Sequence, residues 1–384
     1  MKSFEFQLPT RIVFGFGASE GVGQEAAALA AKHALVVTDP GVIAAGIVDL
    51  IAARLQAEGV DHVVFSDVSS NPRDVEVEAG VAVARENGCD VLVAVGGGSA
   101  IDCAKAIGTL LTNGGRVQDF EGLGKLVQPI TPLIAIPTTH GTGSEVTFWY
   151  VITDSAKKRK VDAGSPLMAA RVALVDPELT VSLPPSLTAA TGLDALTHAI
   201  EAYTGMPNEP LTDSLALTAV GLIGRSLRKA YANGQNRQAR YDVTLASLLA
   251  GVAFANSDVG AVHCISETLG GFYDIPHGVA NAVYLPIVAQ YNLLAEPERS
   301  ARLADALADG IGGPTPGGDG ERLVAMLERL NSDLSIPSAS AIGVKDADIP
   351  RLAELCTTNV SIESNARPIN AEGFCRLLEI GQRS

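Results

Sequence analysis

The chain has 384 residues, long for one hydrophobic core and suited to two domains. Apolar residues make up 47% and charged residues 18%, with mean hydropathy +0.23, which excludes a disordered or collagen-like chain. The formal charge of -15 argues against nucleic acid or an anionic membrane surface as a partner. Cys89, Cys103, Cys264, Cys356 and Cys375 are odd in number and show no C-x-x-C spacing, as expected in a reducing compartment. MKSFEFQLPTRIVFG has no apolar signal-like core, and no run of about 18 apolar residues follows, so a cytoplasmic protein is expected.

In chain order, FEFQL reads as a short first strand, available for pairing across a dimer. FGFGASEGVG (14–23) follows the strand-like RIVF. Glu20 stands where G-x-G-x-x-G needs its third glycine, so the segment is read as structural. Val- and Ile-rich runs then alternate with helix-length spacers: ALVVTD (34–39), HVVFSD (62–67), VLVAVGGG (91–98), LIAIPTT (133–139) and VALVDPE (172–178). Continuous apolar strands of this kind predict a parallel sheet covered on both faces. After VSLPPSL (181–187) strand signals nearly vanish. Leu211, Leu215, Ala219, Ile223 and Leu227 recur every four residues, predicting a helix that stops at Asn233-Gly234. A loop is expected at GIGGPTPGGDG (310–320). The fold class is therefore an α/β domain with a parallel sheet over 1–180 and an all-α domain over 181–384.

Open parallel sheets bind ligands beyond the carboxyl ends of their strands. Gly96-Gly97-Gly98-Ser99 joins VLVAV to the helical AIDCAKAIGTLL, so its backbone N–H groups can approach a pyrophosphate at a helix N-terminus. An ordinary tight turn is the plainer reading. Asp39 ends ALVVTD, where an acidic side chain can hold ribose hydroxyls or cap the helix that follows. If it faces the ribose, its charge repels a 2′-phosphate and favours NAD over NADP. PTTHGTGSEVT (137–147) offers hydroxyls and backbone to a nucleotide, and Asn71-Pro72 forms another loop beyond a strand.

Asp194 and His198 lie four apart in TGLDALTHAIEAY, on one face of a helix. His263 and His277 bracket VHCISETLGGFYDIPHG, where Gly270, Gly271 and Pro276 let the chain turn back. One carboxylate and three imidazoles suffice for a divalent metal such as Fe(II), Zn(II), Co(II) or Ni(II). Cys264, beside His263, points elsewhere on a helix and is read as packing.

Through PTRIVFGFGA, GGGSAIDCAKAI, PTTHGTGSEVT, the Asp194/His198 helix and the His263–His277 segment, the chain resembles the iron-containing (group III) alcohol dehydrogenases over nearly its whole length. The resemblance implies a dinucleotide-binding α/β domain, a helical metal-binding domain and an active site in the cleft between. Asp194, His198, His263 and His277 would be the metal ligands, with Fe(II) the first candidate and Zn(II) the second. Asp39, Asn71, Gly97, Gly98, Ser99, Asp102, Thr138, Thr139, Thr142, Thr147, Lys160 and Leu179 would line NAD. A small alcohol or aldehyde would be the substrate, and the protein a homodimer or larger homo-oligomer.

Two positions depart from the family pattern. Glu267 stands where a second histidine is common; it can take a proton, bond a ligand imidazole or face solvent. His140 stands where many members have a small residue, and it reads as a nucleotide or substrate contact or as a plain loop residue. Phe148, Trp149, Val151 and Phe254 are either an apolar wall for the substrate or core. The expected chemistry is hydride transfer between an alcohol carbon and nicotinamide, with a metal polarising the oxygen. A polyol dehydrogenase, a dehydroquinate-synthase-like lyase, a metal-free reductase and a nucleotide-binding sensor are the alternatives.

Overall fold

A computed structural model describes residues 3–308 and 319–383. Its strands are β1 (Arg11–Phe14), β2 (His33–Val37), β3 (Asp61–Phe65), β4 (Val91–Gly96), β5 (Gly122–Leu123), β6 (Leu133–Pro137), β7 (Trp149–Asp154), β8 (Arg159–Gly164) and β9 (Val172–Val175). Among the described residues, six form one parallel sheet in the order β1-β9-β6-β4-β2-β3. Successive side chains on a strand point to opposite faces. Leu35, Val37, Leu92, Ala94, Leu133 and Ala135 accordingly pack in one core cluster. Ala34, Val36, Val93, Val95, Ile134 and Ile136 pack in another. Both faces are dry, which is why these strands read as unbroken apolar runs.

The chain passes from β2 outward to β3, then returns to the other side of β2 to form β4. That reversal places a crevice between the carboxyl ends of β2 and β4. Asp39 lies just past β2, and Gly96-Gly97-Gly98 runs from the last residue of β4 into the next helix.

The β7–β8 hairpin was not anticipated. The two strands pair antiparallel from Trp149↔Gly164 to Asp154↔Arg159, and β5 adds in parallel to β8. No glycine marks their turn: Lys158 takes the left-handed conformation (φ 52°) while Asp154 Oδ1 accepts from Ala156 and Lys157 N–H. FEFQL forms no strand in the single chain; Gln7 instead exchanges two hydrogen bonds with the Asn256 side chain. FGFGASEGVG is a structural turn, held by Asp176, whose carboxylate accepts from Gly17 N–H, Ser19 N–H and Ser19 Oγ.

The chain divides into two compact units. The α/β unit comprises Leu8–Thr139 and Gly143–Ser182. The helical unit comprises the segment up to Gln7, His140–Thr142 and the chain from Leu183 onward. Helix Pro185–Thr204 runs through the helical core: from Thr188 to Thr204 every residue except Thr191 is buried. The stripe from Leu211 to Leu227 lies on helix Pro210–Ala232, which ends at Asn233 as expected. The loop expected at 310–320 lies, through residue 318, outside the described residues. Among the described residues, no single helix is long and apolar enough to cross a membrane.

Candidate metal centre and nucleotide cradle

In the helical unit, one ligand atom from each of Asp194, His198, His263 and His277 lies within 4.8 Å of all the others. Helix Pro185–Thr204 delivers Asp194 and His198 from one face. His263 lies in the first turn of helix Ala261–Tyr273, and His277 opens helix His277–Asn292. The turn between them differs from expectation. Gly270 and Gly271 are helical, and Asp274 takes the left-handed position (φ 61°), a conformation aspartate tolerates. Gly278 permits the approach of His277: a Cβ there would stand 2.6 Å from the Ala190 carbonyl oxygen.

Each imidazole has a partner at Nδ1, which leaves Nε2 for the shared centre. His198 Nδ1 lies 3.2 Å from the Gly141 carbonyl, His263 Nδ1 2.6 Å from Glu201 Oε2, and His277 Nδ1 3.4 Å from Ser266 Oγ. Acceptors such as the Gly141 carbonyl and the Glu201 carboxylate set the tautomer of the histidines they face, and all three partners fix ring orientation. Phe254 stacks on His198 with ring centroids 4.3 Å apart, so this aromatic backs a site residue. Burial raises the Asp194 carboxyl, but His198, His277, His263 and the Asn281 amide outweigh it and hold Asp194 below its ordinary range. Burial pushes His263 well below the usual imidazole value, keeping it neutral with one unprotonated ring nitrogen. The donor set suits a borderline divalent ion of the Fe(II) or Zn(II) type.

Glu201 and Asn281 escaped the sequence reading. Glu201 falls seven residues after Asp194 on the same helical face, and Asn281 one turn after His277; both spacings were visible. Glu267 is half-buried and accepts a hydrogen bond from Asn359 Nδ2. Cys264 is packed in the helical core.

His140 is fully buried, with Nε2 3.4 Å from the Thr188 carbonyl and Nδ1 without a partner. Burial first and Arg240 second lower its pKa to about 3. It is therefore a neutral core histidine rather than an exposed contact. Arg240 is itself buried and donates to the Gly234 and Leu183 carbonyls and to Thr188 Oγ1.

In the α/β unit, Asp39 caps helix Pro40–Ala44: Oδ1 accepts from Gly41 N–H at 2.8 Å and Val42 N–H at 3.1 Å. Its Oδ2 would lie 3.4 Å from a Cβ built on Gly96. Gly97 precedes helix Gly98–Asn113 and supplies no side-chain cap, leaving first-turn N–H groups for an anion. A Cβ at Gly97 would press on Thr139 at 3.3 Å, filling the cradle. Thr138 N–H donates to the Gly96 carbonyl, so Thr138 and Thr139 border the glycines. Ser99 Oγ donates to the Ser70 carbonyl at 2.7 Å, and Lys160 Nζ reaches Asn71 Oδ1 at 2.8 Å. Leu179 is buried in the sheet core. Thr142 belongs to the helical unit. Trp149 covers Gly164 in the hairpin, where an added Cβ would meet its ring at 2.6 Å.

Asp102 accepts from Ser144 Oγ at 2.5 Å and from Val151 N–H at 3.0 Å. Beside it the fully buried Lys105 donates to Ser144 O and Oγ, Thr147 Oγ1 and Trp149 O at 2.7–3.0 Å. Burial lowers the Lys105 pKa to about 8, against the pull of Asp102 and Glu145. Lys105 was also missed. A lone lysine within AIDCAKAIGTLL was its signal, since a buried cation requires partners.

The family model described as iron-containing alcohol dehydrogenase matches residues 9–177, and the Fe-containing alcohol dehydrogenase family, C-terminal, matches 188–380. NAD-dependent methanol dehydrogenase of Bacillus methanolicus is 41% identical, over 97% of this chain and 98% of its own. The 1,3-propanediol dehydrogenase of Klebsiella pneumoniae is 42% identical over 97% of each. The crystal structure of a 1,3-propanediol oxidoreductase superposes with TM-score 0.95 at 41% identity, covering 99% of this chain and 100% of that one.

Proposed function

This chain belongs to the iron-containing alcohol dehydrogenase family, and from that premise we propose that it transfers hydride between a small alcohol and NAD. Asp194, His198, His263 and His277 are assigned as holders of a divalent metal. The observation that carries the reading is the convergence of their four ligand atoms within 4.8 Å. When bound there, the ion supplies Lewis acidity toward the alcohol or carbonyl oxygen. Fe(II) is the proposed occupant, with Zn(II) as the competing one.

The chain's own residues do the positioning. The Nδ1 partners hold the three imidazoles with Nε2 directed at one centre. Gly97, Gly98 and Ser99 offer backbone N–H groups to the dinucleotide phosphates. Thr138, Thr139 and Thr147 offer hydroxyls, and Asp39 Oδ2 is assigned to the ribose, which disfavours a 2′-phosphate. Asn71 with Lys160, Asp102 and Leu179 complete the proposed cofactor lining. Glu267, one turn beyond His263, is assigned to accept the hydroxyl proton when the alcohol is oxidised. The relatives named above are dehydrogenases, which gives the lyase and sensor readings no support.

A cytoplasmic homo-oligomer is the assembly we infer. Free cysteines at Cys89, Cys103, Cys264, Cys356 and Cys375 fit a reducing compartment. Light scattering tests the assembly.

The test of function is NADH consumption on an aldehyde panel, using protein stripped of metal and reloaded anaerobically with Fe(II) or Zn(II). Turnover that returns with one metal is expected. Equal turnover with and without metal overturns the Lewis-acid role. His263→Ala should lose bound metal and at least about 100-fold in activity together; metal-dependent turnover retained in that variant overturns the ligand assignment.

A further inference from the structure

We propose that Glu201 is a positioning residue for the metal centre, selecting the Nδ1–H tautomer of His263 and so turning its Nε2 lone pair toward Asp194, His198 and His277. The inference rests on the reading of those four residues as metal ligands.

The three imidazoles have chemically different outer partners. His198 meets a backbone carbonyl at 3.2 Å and His277 a serine hydroxyl at 3.4 Å, whereas His263 meets a carboxylate oxygen at 2.6 Å. A hydroxyl can donate or accept, so it selects no tautomer by itself. Both Glu201 oxygens already accept backbone N–H groups, so the carboxyl faces Nδ1 as an acceptor and stabilises a proton on that nitrogen. Both residues are almost wholly buried, His263 2% and Glu201 4% exposed. Little water is therefore at hand to exchange that proton.

Glu201 is itself held. Oε2 also accepts from Gly260 N–H at 2.8 Å, and Oε1 accepts from Val262 N–H at 2.7 Å. These are N–H groups at the start of helix Ala261–Tyr273, which has no side-chain cap of its own on Gly260. One carboxylate thus secures the helix end and the imidazole that the helix carries. Glu201 shares helix Pro185–Thr204 with Asp194 and His198. The two ligands and the orienter of a third therefore move as one piece.

A simple helix cap is the competing account, and Asn365 separates the two. Its Oδ1 accepts from Ala261 N–H at 3.2 Å, at the same helix end. Its other side-chain hydrogen bonds go to Asn292 and to the Arg367 carbonyl rather than to His263.

The experiment measures Zn(II) affinity of the full chain by chelator competition in wild type, Glu201→Gln and Asn365→Ala. Nitrogen NMR of the metal-free, histidine-labelled protein reads the His263 tautomer in parallel. Glu201→Gln is expected to weaken Zn(II) binding about 10- to 100-fold and to lose the single Nδ1–H signature. Asn365→Ala should stay within about threefold of wild type with the tautomer intact. Wild-type affinity in Glu201→Gln, or equal losses in both variants, overturns the proposal. A wild type that takes up no Zn(II), yet shows the tautomer change in Glu201→Gln, overturns the metal reading and leaves the tautomer selection standing.

Discussion

Asn281 Nδ2 stands 2.7 Å from Asp194 Oδ1, and 3.2 and 3.1 Å from Nε2 of His263 and His277. One amide nitrogen therefore faces three of the four assigned donor atoms, with two hydrogens to share among them. Its own Oδ1 is buried without a partner. Amide and cation compete for the same lone pairs. Asn281→Ala should destabilise metal-free protein by about 1–3 kcal/mol, because buried acceptors lose their donor. Zn(II) affinity should hold or rise. Urea unfolding with and without Zn(II) checks both, and a tenfold loss of affinity would contradict the competition.

Lys105 ties Ser144, Thr147 and Trp149 together through four hydrogen bonds from one buried ammonium. Lys105→Met keeps the length but leaves those acceptors unpaired. The expected cost is about 3 kcal/mol or more in unfolding free energy. NAD affinity should fall about tenfold as the PTTHGTGSEVT loop loosens, measured by quenching of Trp149 fluorescence on titration with NAD.

Glu267 is half-buried and held by Asn359. If it accepts the substrate proton, Glu267→Gln should lower kcat about 100-fold and remove one limb of the pH–rate profile while leaving Zn(II) affinity unchanged. An unaltered profile would return Glu267 to a structural role.

His140 carries a pH prediction. Burial lowers its pKa from 6.5 to about 3, so between those values the unfolded chain binds a proton that the native chain does not. The unfolded state holds more protons there, so stability falls as pH drops through this window. At about pH 4.5 the penalty is roughly 2–3 kcal/mol. His140→Ala removes the group, so its stability should decline less than wild type from about pH 7 to 4.5. Parallel urea titrations at both pH values compare the slopes.

The parallel sheet was open to reading because its strands are dry on both faces, so Val36, Val93 and Ile134 stand in unbroken apolar runs. The Asp194–His198 pair and the Leu211–Leu227 stripe were open because helical periodicity is local. The β7–β8 hairpin was hidden because a lysine, not a glycine, occupies the left-handed turn position. Gly270 and Gly271 misled for the same reason: Asp274 takes the turn, and the glycines serve the helix. Asp39 was ambiguous between cap and ribose partner, and the fold shows it capping through one oxygen. What no local pattern contains is the meeting of residues far apart in the chain. Glu201 reaches His263 across 62 positions and Asn281 reaches Asp194 across 87. Lys105 is buried only because the loop after β6 folds over it. Backbone period and side-chain polarity depend on neighbours along the chain, so sequence alone defines them. Tautomers, buried charge and the convergence of donor atoms depend on which helices pack together, and only the tertiary structure decides that.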